Sequence, residues 1–392
     1  MIPQDQIPHI LKYMGGKRDL LEDIGKAVDE MDVDADDFCD LFAGTAIVSY
    51  AFSDSFNVVS NDIQCYSSVL GNTYFSDFTV LRAPETVVNS IVEKAETFFQ
   101  QAKRALPQLC CQYYENIDFN TMQDMEMEQL RLADSDIKGG FSFFTKYYSG
   151  TYWSFEQCVW IYAFRAVAET YKGTDLYYAI LSALVFAMSY CAQSTGHFAQ
   201  FRALTKRNYK SVLLYRMKSV PMLFQKKMIE LLSTLSKPLR HSFRSSTLNY
   251  VDCVATLRPN TVIYADPPYS AVHYSRFYHV LETLVLYDHP RLEYKGRYRE
   301  SRYQSPFDQK RHVASAFESL FHAVRQQQCH LLLSYSDNAL LAEDQLDEIA
   351  SRCLGTRYKK HRYSKGYKHM KMGRADESNM DVHELLMSYT KM

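Results

Sequence analysis

The apolar run Thr261–Ala265 ends in Asp266-Pro267-Pro268-Tyr269, four residues whose types and order suit one piece of chemistry. Two prolines fix the backbone and remove two N–H donors, which leaves carbonyl oxygens free to accept. An aspartate and a proline carbonyl can together accept from one exocyclic amino group, and a tyrosine beside them can stack on the ring that bears it. In an open α/β sheet, ligands sit beyond the carboxyl ends of strands, where this tetrapeptide would face them. The plainer alternative is a strand end with a Pro-Pro turn and a packed tyrosine, so the neighbouring motifs must decide.

A second acid-led turn, Asp40-Leu41-Phe42-Ala43-Gly44-Thr45-Ala46, follows another apolar run. A glycine in such a turn lets backbone amides approach a ligand at a helix N-terminus. Asp62, in Asn61-Asp62 at the end of the next run, stands where a carboxylate can bind ribose hydroxyls. The full glycine fingerprint of a dinucleotide site and the lysine-bearing loop of a triphosphate site are both missing here. A nucleoside cofactor without a pyrophosphate fits better, which points to S-adenosylmethionine. A simple strand-turn-helix connection with Asp62 at the surface is the competing reading. Nearer the start, Lys12-Tyr13-Met14-Gly15-Gly16-Lys17 offers two glycines for close backbone approach and a lysine able to meet a carboxylate.

These turns need elements to hold them. The pattern predicts a loop and helix from Gly15 to about Glu30, a strand over Asp37–Phe42, a helix over Thr45–Phe52, a strand over Asn57–Ser60 and a helix near Tyr66–Asn72. Strand, glycine turn, helix, strand and terminal acid make a βαβ unit. From Phe75 to Arg244 the chain reads as mostly helical and aromatic. A strand over Thr261–Ala265, helices over Phe277–Tyr287 and His312–Gln326, and a strand over His330–Tyr335 follow, the last running into Ser336-Asp337-Asn338. An α/β sheet is thus expected at both ends of the chain, split by a long insertion.

Composition narrows the class. With 392 residues, 47% hydrophobic and 23% charged, the chain can bury a sizeable core and is not mainly disordered. A formal charge of −1 excludes bulk polycation binding but not local basic faces. Nine cysteines without a C-x-x-C pair fit neither a disulfide scaffold nor a four-thiolate zinc site, so reduced thiols, a cytoplasmic location and no metal are expected. The first ten residues lack the apolar run of a signal peptide. Leu176–Ala192 is free of charges and, with its tyrosines and serines, reads as a buried helix rather than a membrane span.

Gly15-Gly16-Lys17, Asp40-Leu41-Phe42-Ala43-Gly44, Asn61-Asp62 and Asp266-Pro267-Pro268-Tyr269, in that order, resemble the Dam-like (α-group, D12-type) adenine-specific DNA methyltransferases. The resemblance implies an α/β fold: a Rossmann-like S-adenosylmethionine-dependent methyltransferase sheet formed by 1–75 and 248–392, with a largely helical target-recognition domain inserted over 76–247. It implies that Tyr13, Gly15, Gly16, Lys17, Asp40, Phe42 and Gly44 line the cofactor pocket, that Asp62 holds the ribose, and that Asp252 contacts the cofactor's adenine. Asp266 and Pro267, followed by Pro268, would bind the target amino group, with Tyr269 stacked on the base. Ala46 departs from related motifs, which often carry a second glycine there. The activity implied is methylation of a flipped-out adenine in DNA, in a restriction-modification or phage-related system with a possible cognate restriction enzyme.

Phosphate contacts are expected from basic residues near these motifs, since Lys and Arg supply most sequence-independent affinity. The candidates are His273 and Arg276 after the tetrapeptide, Arg297 and Arg299 in the basic loop Arg291–Arg311, and Lys359, Lys360 and Arg362 in a stretch from 352 to 374 that lacks any acid. Gln193, His197, Gln200 and Arg202 offer side chains able to read base edges. Two other readings compete: an RNA-adenine or cytosine-N4 methyltransferase with the same chemistry, and a silent DNA-binding scaffold. A fused metal nuclease would need a second catalytic cluster, and the sequence offers no convincing one.

Overall fold

The computed structural model describes residues 1–106, 112–140, 142–268, 273–336, 339–368 and 381–392. Nine strands are present among them: β1 (Asp37–Asp40), β2 (Asn57–Asn61), β3 (Phe243–Ser246), β4 (Val262–Ala265), β5 (Leu292–Glu293), β6 (Tyr298–Arg299), β7 (His330–Ser336), β8 (Tyr358–Lys368) and β9 (Asp381–Lys391). Seven form one sheet in the order β3-β2-β1-β4-β7-β9-β8. The five from β3 to β7 are parallel, and β9 and β8 add an antiparallel edge.

Alternate residues of the central strands feed two cores, as a sheet covered on both faces requires. Phe38, Val58, Val262, Tyr264 and Leu332 join one core, while Cys39, Ile263, Ala265, Leu331 and Leu333 join the other. The second core is covered by helices Tyr250–Ala255, Val313–Gln327 and Glu343–Leu354. The first is covered by helices Leu21–Glu30, Cys65–Tyr74 and Tyr274–Leu286, and it runs on without a break into the inserted helices.

The strand order reverses direction at β1. The chain moves outward from β1 to β2 and β3, then returns to lay β4 on the other side of β1. Asp40 is thereby paired with Tyr264, and the Leu41 N–H donates to the Tyr264 carbonyl at 2.9 Å. Such a reversal opens a crevice at the carboxyl ends, where ligands bind in sheets of this kind. The two acid-led turns leave the sheet side by side at that point.

Between β2 and β3 the described residues form helices and no strand, and β3 itself falls inside the 76–247 range. β3 lies before residue 248 yet pairs in parallel with β2, from Val58↔Phe243 to Asn61↔Ser246. Its Phe243-Arg244-Ser245-Ser246 sequence is too polar to announce a strand, which an outer strand with one neighbour allows. Helix Asp175–Cys191 is buried along most of its length, and its Ser182 hydroxyl shares a 2.7 Å hydrogen bond with Thr73 of helix Cys65–Tyr74. No helix among the described residues is long and apolar enough to cross a membrane.

Local sequence sets several of these ends. Ser154 and Gln157 form a capping box at helix Phe155–Thr170, and Asp118 accepts from the Asn120 and Thr121 amides at helix Phe119–Leu130. The same region holds a buried ion pair. Arg216 Nε and Nη2 donate to the two carboxylate oxygens of Glu126 at 2.8 and 2.7 Å, and Nη2 also reaches the Thr151 carbonyl at 3.0 Å. Removing one partner leaves an uncompensated buried charge. Glu126→Ala is therefore expected to cost about 3–5 kcal/mol of stability in urea unfolding. Adding Arg216→Met to that variant should restore a substantial part of the loss.

Candidate active site

An open cavity lies at the crevice between β1 and β4. Its wall includes Tyr13, Gly15, Phe42, Asp62, Asn249, Tyr250, Asp266, Pro267 and Pro268. An adjoining recess shares Tyr13, Gly15, Phe42 and Asp266 with it, and adds Gly16, Lys17, Asp40, Gly44 and Thr45. Residues of all four motifs, far apart in the chain, thus converge on one space. Tyr269 lies outside the described residues, as do Asp337 and Asn338.

Lys17 ties the first motif to the last. It is buried, and its Nζ stands 3.0 Å from Asp266 Oδ1. Tyr13 leads into that loop, stacks on Tyr278 with ring centroids 4.5 Å apart, and faces Gly44 so closely that a Cβ there would meet its ring at 3.1 Å. Gly44 also has φ +52°, a conformation glycine adopts without strain. Ala46 has φ +57°, which accounts for the glycine common in related motifs. Its methyl is buried against helix Cys65–Tyr74 at Gly71 and does not line the cavity.

The carboxylates differ in what they hold. Asp40 Oδ2 accepts from the Ser49 amide and hydroxyl, so this acid fixes the turn to the helix Ile47–Ala51 as well as lining the recess. Asp62 Oδ2 accepts from the Gly44 amide at 2.9 Å and Oδ1 from the Gln64 amide at 2.8 Å. Burial pushes Asp40 up to about 7 and Asp62 up to about 6, against the hydrogen bonds that hold them down. Glu282, on helix Tyr274–Leu286, accepts from the Cys65 and Tyr66 amides at 3.0 Å each and so anchors the turn after Asp62.

Asp252 does not reach the cavity. It is exposed on helix Tyr250–Ala255, whose N-terminal pair Asn249 and Tyr250 faces the cavity instead. Asn249 caps that helix by accepting from the Val251 amide at 3.1 Å. The resemblance implied Asp252 for the cofactor's adenine, while the helix turn puts a position three residues earlier on the wall.

The expected phosphate contacts sort into two groups. Arg276 is exposed at the start of helix Tyr274–Leu286, and its Nε donates to the Tyr298 hydroxyl at 3.0 Å. Arg302 lies over the same ring, 4.7 Å from its centroid, with a buried Nε that has no hydrogen-bond partner among the described residues. Arg297 is half-buried nearby with φ +56°. His273 turns inward to Asp308. Arg299 is a correction: it is buried in a two-pronged ion pair with Asp288 at 2.8 and 2.7 Å, so its guanidinium is committed within the fold. Lys359, Lys360 and Arg362 are a second correction. Through β9 they align with the amino-terminal half of β7, away from the carboxyl ends where the cavity opens. Lys360 and Arg362 also pair with Asp347 and Glu343.

The loop carrying Gln193, His197, Gln200 and Arg202 packs against the helix that follows the Asp-Pro-Pro turn. Phe198 N–H donates to the Phe277 carbonyl at 2.8 Å, and the His197 ring lies 4.6 Å from Phe277. Gln193 is buried, whereas Gln200 is exposed.

A mostly parallel sheet with these two acid-led turns at adjacent strand ends is the arrangement of a methyltransferase fold. The chain belongs to the D12 class N6 adenine-specific DNA methyltransferase family, whose model matches residues 13–331. It is 25% identical over 347 residues to Modification methylase LlaI of Lactococcus lactis subsp. lactis, covering 87% of this chain and 49% of that protein. It is likewise 25% identical over 354 residues to Type II methyltransferase M.FokI of Planomicrobium okeanokoites, covering 86% and 46%. Type II methyltransferase M.NlaIII of Neisseria lactamica is 25% identical over 327 residues, covering 80% and 79%. The chain thus spans about half the length of the first two.

The raised Asp40 carboxyl has a pH signature. The folded chain keeps a proton there that the unfolded chain releases above about pH 4, so the associated stability is lost as pH rises through about 7. Relative to Asp40→Asn, the empty wild-type protein should weaken from pH 4 to 7 in urea unfolding, and the difference should level off above that.

Proposed function

We propose that this chain transfers a methyl group from S-adenosylmethionine to the N6 amino group of an adenine flipped out of DNA. The observation that carries this reading is the convergence of Lys17, the Asp40–Gly44 turn, Asp62 and the Asp266–Pro268 turn on one cavity. The donor set suits the cofactor: Asp62 can accept from ribose hydroxyls, Phe42 and Tyr250 offer flat walls for a purine, and Lys17 stands in the recess where a carboxylate could be met. S-adenosylmethionine, when bound, supplies an electrophilic sulfonium methyl.

The chain's own part is positioning and electrostatics. Adenine's amino nitrogen is a poor nucleophile because its lone pair is delocalised into the ring. Hydrogen bonds from its two N–H groups to the Asp266 carboxylate and the Pro267 carbonyl favour a pyramidal nitrogen with a more available pair. Lys17, 3.0 Å from Asp266 Oδ1, holds that carboxylate in place. The base must leave the duplex to reach this cavity, at a cost of a few kcal/mol that stacking, on our reading by Tyr269, offsets.

The 76–247 segment would act as the target-recognition domain. Its loop around Gln193–Arg202 packs beside the Asp-Pro-Pro helix, and Arg276 and Arg302 gather around Tyr298 next to it, a cationic group suited to backbone phosphates. Arg297 extends the same strip. A restriction-modification system, with DNA as substrate and a cognate restriction enzyme as partner, is the setting the relatives' names suggest.

The test is to incubate the protein with unmethylated DNA and labelled S-adenosylmethionine, digest the product and identify the modified nucleoside by mass spectrometry. N6-methyldeoxyadenosine is expected; label appearing only in RNA, or as N4-methylcytosine, would overturn the substrate. Asp266→Ala should lower methyl transfer by at least about a thousandfold while cofactor binding stays within several-fold, as for a group that acts on the target base. Arg276→Ala and Arg302→Ala should each weaken DNA binding and lower the slope of log Kd against log salt by about 1, as expected for a lost phosphate contact.

A further inference from the structure

One buried carboxyl on the cavity wall has no role in the scheme above. Asp308 ends the short turn Pro306–Asp308, which follows Ser305; the Ser305 hydroxyl accepts from the Phe307 amide at 3.2 Å. Phe307 wedges edge-on against Phe42 at 5.5 Å and against Tyr250 at 5.1 Å, so the turn is locked to the aromatic side of the cavity. Asp308 is 4% exposed and lines the cavity. Its Oδ2 lies 3.1 Å from His273 Nδ1, and its Oδ1 has no partner among the described residues. Buried polar oxygens are rarely left so, and an orphan on a ligand-binding wall asks for a donor from the ligand.

We propose that Asp308, oriented by His273, is the hydrogen-bond acceptor for the amino group of the bound cofactor's adenine. The inference rests on S-adenosylmethionine being the cofactor, as argued above. Three observations favour the cofactor's purine over the target base. Phe307 joins Asp308 directly to Phe42 and Tyr250, the flat walls on the side of Asp62 and Asn249. Asp62, Tyr303 and Asp308 line the same cavity, so the acid expected at the ribose and the orphan carboxyl face one space. Asp252, the acid the resemblance implied for this contact, is exposed and off the cavity wall, and of the acids on that wall Asp62 is already taken up by the Gly44 and Gln64 amides, which leaves Asp308 with an oxygen to offer.

The pair is built to accept. Burial pushes Asp308 up to about 8, so its carboxyl ionises readily only when donors reach it. His273 is held down by burial and by Arg302, which keeps its imidazole neutral; with the proton on Nδ1 it donates to Oδ2 and leaves Oδ1 to the ligand. His273 is thus a positioning residue, and Asp308 the contact.

Calorimetry with two cofactor products tests this directly: S-adenosylhomocysteine, and S-inosylhomocysteine, in which a carbonyl replaces the amino group. Above about pH 8, where the Asp308 carboxyl is ionised and can only accept, wild-type protein should prefer the adenosyl compound by at least about tenfold, since a buried acceptor left facing an acceptor loses the full hydrogen bond. Asp308→Ala should abolish that preference. Asp308→Asn is isosteric: its oxygen still accepts from His273, and its NH2 then faces the ligand, so the preference should invert toward the inosyl compound. His273→Phe should reduce the preference without inverting it. Unchanged discrimination in the Asn and Ala variants would overturn the assignment. So would discrimination lost only between adenine and purine at the mapped methylation site in DNA, which would move the acceptor to the target base. Binding of S-adenosylhomocysteine by wild-type protein reports separately on the cofactor itself.

Discussion

A buried ammonium meeting a carboxylate across the top of two adjacent strands organises the whole active end of this protein. Lys17 comes from the start of the family match and Asp266 from much later in the chain, and the carboxylate offsets the cost of burying the ammonium. Holding them together fixes the Tyr13–Lys17 loop over the β1 turn, stacks Tyr13 on Tyr278, and so links the first motif to the helix that follows the last one. Glu282, on that same helix, reaches back to the turn after Asp62. The site is a ring of long-range ties closed on itself, and its geometry belongs to the fold rather than to any one loop.

The motifs were legible because each is local. Asp40, Gly44, Asp62 and Asp266 sit at strand ends that apolar runs announce, and order alone related them to one family. What stayed hidden depends on tertiary neighbours. Asn249 and Asp308 reach the cavity through a helix turn and a packed phenylalanine, which no spacing in the chain predicts. β3 is polar because it is an outer strand, and β8 was read as a charge strip because its basic residues outnumber its apolar ones.

Charge was the least transferable signal. Arg276 and Arg299 come from the same basic neighbourhood, yet one is exposed beside the cavity and the other is consumed by Asp288. Lys360 and Arg362 are exposed but stand toward the wrong end of the sheet, which only the antiparallel direction of β9 against β7 decides. A sequence records how many cations there are; strand polarity and buried acids decide which of them a phosphate can meet.

The placement of β4 beside β1 has a kinetic consequence. β1 and β2 can pair early, because Asp37 finds Asn57 a short loop away, whereas Phe38 must wait for Val262 across the whole insertion. Contacts so far apart in the chain form slowly, since loop closure is spent before they reward it. The inserted helices, rich in local contacts, can gather first and bring the strand ends together. The cavity is therefore among the last features of the molecule to exist, and during refolding the appearance of helical signal should run ahead of ligand-binding competence.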